Sequence, residues 1–258
     1  MDERAGLRVI RAANPAPLTL DGTRTYIVGR ERAAVIDPGP DLKEHIDAVA
    51  DSIGGGVVVS VLLTHDHPDH ADGAETLARR MGAPILRYGA GLAHGQRVHT
   101  DAGDLVAIAT PGHTPDHLAF HWPDARVVFV GDLMLGGMDT ALVAPPEGDL
   151  AAYLDSLDRV RALGAHALYP AHGEPFEDPP AAIARYIAHR RQRLERVREA
   201  LEAARPLAVT APQVTRAVYG PELDPTLRPA AEAATLAYLQ WLERTGGASV
   251  DGGGRWRA

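Results

Sequence analysis

The chain has 258 residues, 45% of them hydrophobic and 23% charged, with a formal net charge of -8. That balance excludes a disordered or collagen-like chain and leaves no broad basic surface for duplex DNA. Cysteine is absent, which excludes disulfides and thiolate metal sites, so any metal must sit on the 12 histidines or on carboxylates.

Residues 1–6 are charged with no apolar stretch behind them, which argues against a signal peptide. No apolar run reaches the ~18 residues of a membrane span, so the expected location is cytoplasmic. Alternating apolar residues predict strands at 24–29 and 33–36, ended by Asp37-Pro38-Gly39-Pro40. Asp41 is placed to cap a helix running to about residue 52, with Leu42, Ile46, Val49 and Ile53 at helical spacing. The continuous β-branched run 57–63 reads as a buried strand. A helix over 70–81, a strand at 84–87 and a loop at 89–95 follow. Strands are expected at 105–109, 118–122 and 127–130, a helix at 150–163 and a short strand at 167–169. This mix predicts a four-layer αβ/βα arrangement.

The character changes at Pro179-Pro180. Helices are predicted at 181–204, at 211–219 behind a Thr210 cap, and at 229–244, with a hairpin over 248–258 around Gly252-Gly253-Gly254. The expected division is a catalytic domain at 1–178 and a helical, winged-helix-like module at 179–258. Helix 181–204 carries Arg185, Arg190, Arg191, Arg193, Arg196 and Arg198 with Glu195, Glu199 and Glu202, and reads as an ion-paired surface. His189 is expected on that solvated face. Helix 211–219 carries only Arg216, too little charge for reading duplex DNA.

The chemistry concentrates in Thr64-His65-Asp66-His67-Pro68-Asp69-His70, immediately after the buried strand. Pro68 biases His67 toward an extended backbone, which lets His65 and His67 converge on one ion. Asp69 and His70 start the next helix and point elsewhere, so two adjacent ions fit better than one. Further strand ends supply His113, Asp132 and His172, each flanked by Gly or Pro. His117, four residues after His113, and Asp37 are candidates to orient ligands or meet substrate.

The pattern His65-x-His67-x-Asp69-His70, His113, Asp132, His172 resembles the ligand signature of the metallo-β-lactamase-fold hydrolases. The resemblance implies that His65, His67 and His113 hold one metal, that Asp69, His70 and His172 hold the other, and that Asp132 bridges both. Residues 14–29, 169–173 and 186–190 are similar to the lactamase-beta-like protein 2 group, related to glyoxalase II and carrying a small winged-helix-like C-terminal module. Arg24 stands where that group's pattern has Asn. Zinc is expected from ligand type, with manganese or iron as alternatives. The implied chemistry is hydrolysis by a hydroxide shared between two ions, with Asp132 holding the ions and Asp69 orienting the nucleophile. A small-molecule thioester or ester is the first expected substrate. Single-stranded RNA is the alternative, and a mono-iron sulfur dioxygenase sharing part of the ligand set is the third. The sequence leaves the oligomeric state open.

Overall fold

The computed structural model describes residues 6–258, so the charged start of the chain lies outside the described residues. Strands β1 (Leu7–Arg11), β2 (Arg24–Val28), β3 (Arg32–Ile36), β4 (Val57–Leu62), β5 (Ile85–Tyr88) and β6 (Gly91–Leu92) form one sheet in that order. Helices α1 (Lys43–Ile53), α2 (Pro68–Ala71) and α3 (Ala74–Met81) belong to this half. Strands β7 (Arg97–Thr100), β8 (Gly103–Ala109), β9 (Leu118–Trp122), β10 (Val127–Gly131) and β11 (Ala167–Pro170) form a second sheet in the order β11-β10-β9-β8-β7. Helix α4 (Leu150–Ala162) and the long α5 (Pro179–Ala203) cover its far face.

Period-two alternation builds the layers. Tyr26 and Val28 of β2, Ala34 and Ile36 of β3, Phe120 of β9, and Val127 and Phe129 of β10 meet between the sheets. The intervening Ile27, Ala33 and Val35 face α1 and α3, where Ile46, Val49 and Leu77 receive them. Val128 and Val130 face α4 and α5 through Leu157, Ile183 and Tyr186. Each large apolar side chain fully buried in this way contributes roughly 1.5–3 kcal/mol. Tyr26 also ties the sheets together: its ring lies 4.9 Å from Phe129 and 5.7 Å from Tyr169, and its hydroxyl donates to the Pro170 carbonyl at 2.6 Å.

The chain ends in β12 (Val209–Thr210), α6 (Ala211–Tyr219), α7 (Arg228–Arg244), β13 (Ser249–Val250) and β14 (Arg255–Arg257), the strands pairing in the order β12-β14-β13. Val197, Leu201, Val214, Leu239, Leu242 and Trp256 form their own apolar cluster. The first half of α5 does not belong to that cluster. Ala182, Ile183, Tyr186 and Ile187 pack with α4 and the second sheet. The sequence break at 178–179 is therefore a helix start, capped by Asp178, and not a break in the core.

Several local expectations need correction. The single helix over 70–81 is two helices, because Gly73 packs against the loop after β3. Its amide donates to the Gly39 carbonyl at 2.9 Å, and a Cβ there would stand 2.7 Å from Ile46 Cδ1. Asp41 does not cap α1. The cap position is Leu42, without a side-chain bond, and the Asp41 carboxylate accepts from the Thr76 hydroxyl at 3.1 Å. Thr210 does cap α6, in a reciprocal capping box with Gln213. Strands β1, β6, β7 and β12 have no counterpart in the sequence reading. Among the described residues, no helix is long and apolar enough to cross a membrane.

Candidate metal centre

Strand direction explains why distant segments meet. Strands β3 and β4 run parallel, as do β10 and β11, while β8 and β9 are antiparallel, as are β9 and β10. The C-terminal ends of β8, β10 and β11 therefore share one edge of the second sheet. The segments after β3, β4, β8, β10 and β11 carry Asp37, His65 to His70, His113, Asp132 and His172.

The structure brings His65, His67 and His113 into one group of facing ligand atoms, Asp69, His70 and His172 into a second, and His65, His70 and Asp132 into a third that joins them. In the first, His67 Nδ1 lies 3.0 Å from His65 Nε2 and 3.1 Å from His113 Nε2. In the second, His172 Nε2 lies 3.3 Å from His70 Nε2 and 3.1 Å from Asp69 Oδ2. At metal–nitrogen bonds of about 2.0–2.1 Å, tetrahedral ligands stand about 3.3–3.4 Å apart, so the spacing suits a small divalent ion. Asp132 lies between the groups. Its Oδ1 is 3.5 Å from His70 Nε2 and 3.4 Å from His172 Nε2, and its Oδ2 is 3.7 Å from His113 Nε2. Asp132 Oδ1 is buried and makes no well-aligned hydrogen bond, its neighbours being the His70 and His172 ring nitrogens, so a cation among these atoms would satisfy it. The residues present fit the metal.

The ring nitrogens facing the centre are held there from behind. Asp37 ends β3 in a left-handed conformation, φ 49°, and is 1% exposed. Its carboxylate accepts from the Thr64 amide at 2.8 Å, the Thr64 hydroxyl at 2.7 Å and His70 Nδ1 at 2.9 Å. The Thr64 hydroxyl in turn sits 3.0 Å from His65 Nδ1 and accepts from it. His113 Nδ1 donates to the Leu142 carbonyl at 2.7 Å. His172 Nδ1 lies 3.4 Å from the Gly22 carbonyl, in a loop pinned by the Arg24–Asp21 and Arg24–Glu174 ion pairs. His67 Nε2 faces Glu147 at 3.2 Å near the surface.

His117 does not face the centre. It is fully buried, Nδ1 meets the Thr110 hydroxyl at 2.8 Å, and Nε2 accepts from the Asp132 amide at 3.2 Å. It positions the Asp132 backbone. Burial pushes its pKa down to about 3, which keeps that nitrogen an acceptor. Gly131 is required beside it: with φ at 50°, a Cβ would lie 2.8 Å from His117 Nε2.

The electrostatics are those of paired opposite charges in a dry site. Burial alone would raise the Asp132 carboxyl, but the surrounding imidazoles, His70 foremost, hold it well below the usual range. Burial disfavours a charged His70, yet the Asp132 and Asp37 carboxylates outweigh it and raise that imidazole. Burial and the neighbouring His70 push His65 well down, so its nitrogen lone pair stays free. Sequence reasoning missed Thr64, Thr110 and Glu147, because a lone hydroxyl or surface acid carries no motif. Thr64, adjoining the His cluster, was the one that adjacency could have flagged.

Two stacked sheets whose strand ends gather overlapping groups of histidines and aspartates at one edge define a candidate metal-binding architecture. The Metallo-beta-lactamase superfamily pattern matches residues 18–103 and 94–172, and the chain belongs to that superfamily. Among its fungal relatives, an atrochrysone carboxyl ACP thioesterase of Aspergillus chevalieri is 32% identical over 241 residues, covering 84% of this chain and 75% of that one. A beta-lactamase-like protein 2 homolog of Caenorhabditis elegans is 30% identical over 224 residues, covering 80% of this chain and 74% of that one. In fold, a metallo-beta-lactamase family protein of Thermus thermophilus superposes with a TM-score of 0.82 at 22% identity, covering 98% of both chains.

Proposed function

We propose that the chain is a dinuclear metallo-hydrolase acting on a thioester or ester. One observation carries the dinuclear reading: seven candidate ligand side chains form His65-His67-His113 at one end and Asp69-His70-His172 at the other, joined by a third group, His65-His70-Asp132, which is more donors than one ion takes. Each triad matches the donor set of a hard-to-borderline divalent ion, zinc first by its nitrogen-rich ligands, with manganese or iron as alternatives. The similarity to an ACP thioesterase supports the thioester as substrate class. When bound, two such ions supply Lewis acidity and a water of lowered pKa.

The chain's own residues do the rest. His65, His67 and His113 would hold one ion, Asp69, His70 and His172 the other, and Asp132 would bridge. Asp69 is the partly open carboxylate of the site, its side chain 28% exposed, and its Oδ2 already faces His172 and His70. Burial would raise Asp69, but the hydrogen bond from His172 and the charge of His70 hold it below the ordinary carboxylate range. It is therefore ionised at neutral pH, and its second oxygen is left to take a proton from water. Asp37 and Thr64 fix the ring orientations, so the ligands meet an ion without rearranging.

The test is metal content together with turnover on thioesters, lactones, phosphodiesters and single-stranded RNA. Two equivalents of metal and preferential thioester cleavage are expected. One equivalent with an intact fold would remove the dinuclear claim. Cleavage of RNA without thioester turnover would replace the substrate class.

A further inference from the structure

A cavity of about 230 Å³ lies between residues 17–20, the loop 135–142 and helices α5, α6 and α7. Leu18, Leu135, Leu142, Leu227, Ala231 and Tyr238 give it mostly apolar walls. Three basic side chains of α5 interrupt them: His189, Arg190 and Arg193. The sequence places all three on a solvated, ion-paired face. The structure does not: Arg190 is 3% exposed and His189 is half-buried.

Neither Arg190 nor Arg193 has an acidic partner among the described residues, and burial beside these two arginines pushes the His189 imidazole down, toward its neutral form. Arg190 donates to the Tyr238 hydroxyl at 3.1 Å and to the Ala141 carbonyl, and its guanidinium lies 4.7 Å from the Tyr153 ring centre. Its Nε is buried without a partner, and so is Nδ1 of His189. Arg193 stacks over Tyr219 at 4.1 Å. Elsewhere on the same helix, Arg185, Arg198 and Arg205 near its end are paired with Asp139, Glu195 and Glu202. Asp139, the acid whose charge reaches His189, is held by Arg185 at 3.1 Å. A buried guanidinium without a counter-charge is costly, and π-faces compensate it only in part. An apolar cavity edged by two guanidiniums without a counter-charge and an imidazole with an unpartnered nitrogen is complementary to an anion with an apolar body.

The cavity adjoins the metal centre through a shared wall. The Gly136 amide donates to the His172 carbonyl at 2.8 Å, and the Leu142 carbonyl accepts from His113 at 2.7 Å. The loop that lines the cavity is thus bonded near both ends to a histidine of each triad. Size limits the occupant. A dry protein cavity of about 150 Å³ takes benzene, so this one suits a single substituted ring or a short branched chain.

We propose that this cavity binds the acyl portion of the substrate, an aromatic or branched alkyl group of about one ring carrying a carboxylate, with Arg193, Arg190 and His189 reading the anion. Its kinetic consequence rests on the thioester reading, whereas binding itself does not.

The experiment uses the full-length, metal-loaded protein in two arms. In the first, calorimetry measures binding of 4-tert-butylbenzoate and of the neutral 4-tert-butylbenzamide to wild type, Arg193→Gln and Ala230→Phe. Both positions are half-exposed cavity residues outside the metal centre, and thermal melts check that the variants fold. The benzoate should bind wild type at least tenfold tighter than the benzamide. Arg193→Gln should remove that preference, and Ala230→Phe should weaken both. Benzoate binding unchanged in both variants would place it on the metals and overturn the proposal. In the second arm, KM is measured for a 4-carboxybenzoyl thioester and an acetyl thioester. Ala230→Phe should raise the first at least tenfold and leave the second within twofold. Equal effects on both substrates would overturn the acyl assignment. If no thioester turns over while the binding arm behaves as expected, the thioester reading fails and the cavity assignment as an amphipathic-anion site stands.

Discussion

The two triads differ in residue type, three histidines against one aspartate and two histidines, and in how they are supported. Asp69, His70 and His172 are backed by side chains and loops of the first sheet: Asp37 behind His70, and the Gly22 carbonyl with its Arg24–Asp21–Glu174 clasp behind His172. His70 and His172 are fully buried. His65, His67 and His113 lean on single contacts to the Thr64 hydroxyl, the Glu147 carboxylate and the Leu142 carbonyl, and His67 is 35% exposed. Each triad has one partly exposed member, Asp69 at 28% and His67 at 35%, and the rest of both is buried.

The largest expected effect tests the partly exposed acid of the aspartate-bearing triad. Asp69→Ala should lower kcat by on the order of 10²–10⁴-fold while the fold survives, as the loss of a proton-handling group does. Activity within a few-fold of wild type would make Asp69 a ligand only. Next comes the support behind the triads. Asp37→Asn puts an amide where His70 and the Thr64 hydroxyl both need an acceptor. Metal affinity at the aspartate-bearing triad should drop about 10–100-fold, with a smaller loss at the all-histidine one through Thr64. A graded chelator titration, read as two separate release steps, distinguishes the two. Equal losses at both would erase the contrast drawn between them. Glu147→Gln probes the all-histidine triad. Its contact with His67 is exposed, so metal affinity there should fall by less than about fivefold.

The smallest effect concerns the clasp. Hydrogen bonds from Arg24, and secondarily from Arg11, hold the Asp21 carboxyl well below the usual range. A carboxylate with a lowered folded pKa stabilises the fold above its unfolded value near 3.9 and loses that contribution as pH falls. Asp21→Asn should therefore cost at most about 1 kcal/mol at pH 7, since the pair is partly exposed. Urea midpoints of the variant and wild type should converge as pH drops below about 4. A gap that widens in acid would contradict the sign of the effect.

The candidate ligands stand out in the sequence because the chemistry leaves little freedom: His and Asp crowd against Pro and Gly at the ends of buried strands. The layers were legible because β2, β3 and β10 alternate between two apolar faces. What escaped the sequence depends on tertiary packing. The strand Leu7–Arg11 begins and ends beside arginines, with Arg8 and Arg11 among its five residues, and earns its place only by pairing along β2. The break at Gly73 answers to the Gly39 carbonyl, more than thirty residues away. His117 reads from its spacing to His113 as a group to orient ligands or meet substrate, and the fold turns it toward the Asp132 amide. The α5 arginines all look alike in sequence, yet Arg190 is buried because α7 and the loop at Ala141 close over it.

Each triad draws two members from the segment after the first sheet's β4 and one from the second sheet, His113 or His172. An ion in either triad would therefore act as a clip across the sandwich, performing in a cysteine-free chain the mechanical task that a disulfide performs elsewhere. With free ion a thousandfold above its dissociation constant, each clip is worth about 4 kcal/mol, comparable to a large share of a domain's whole stability. The two halves of such a protein would come apart together or not at all, and a chelator would loosen the scaffold as well as silence the site.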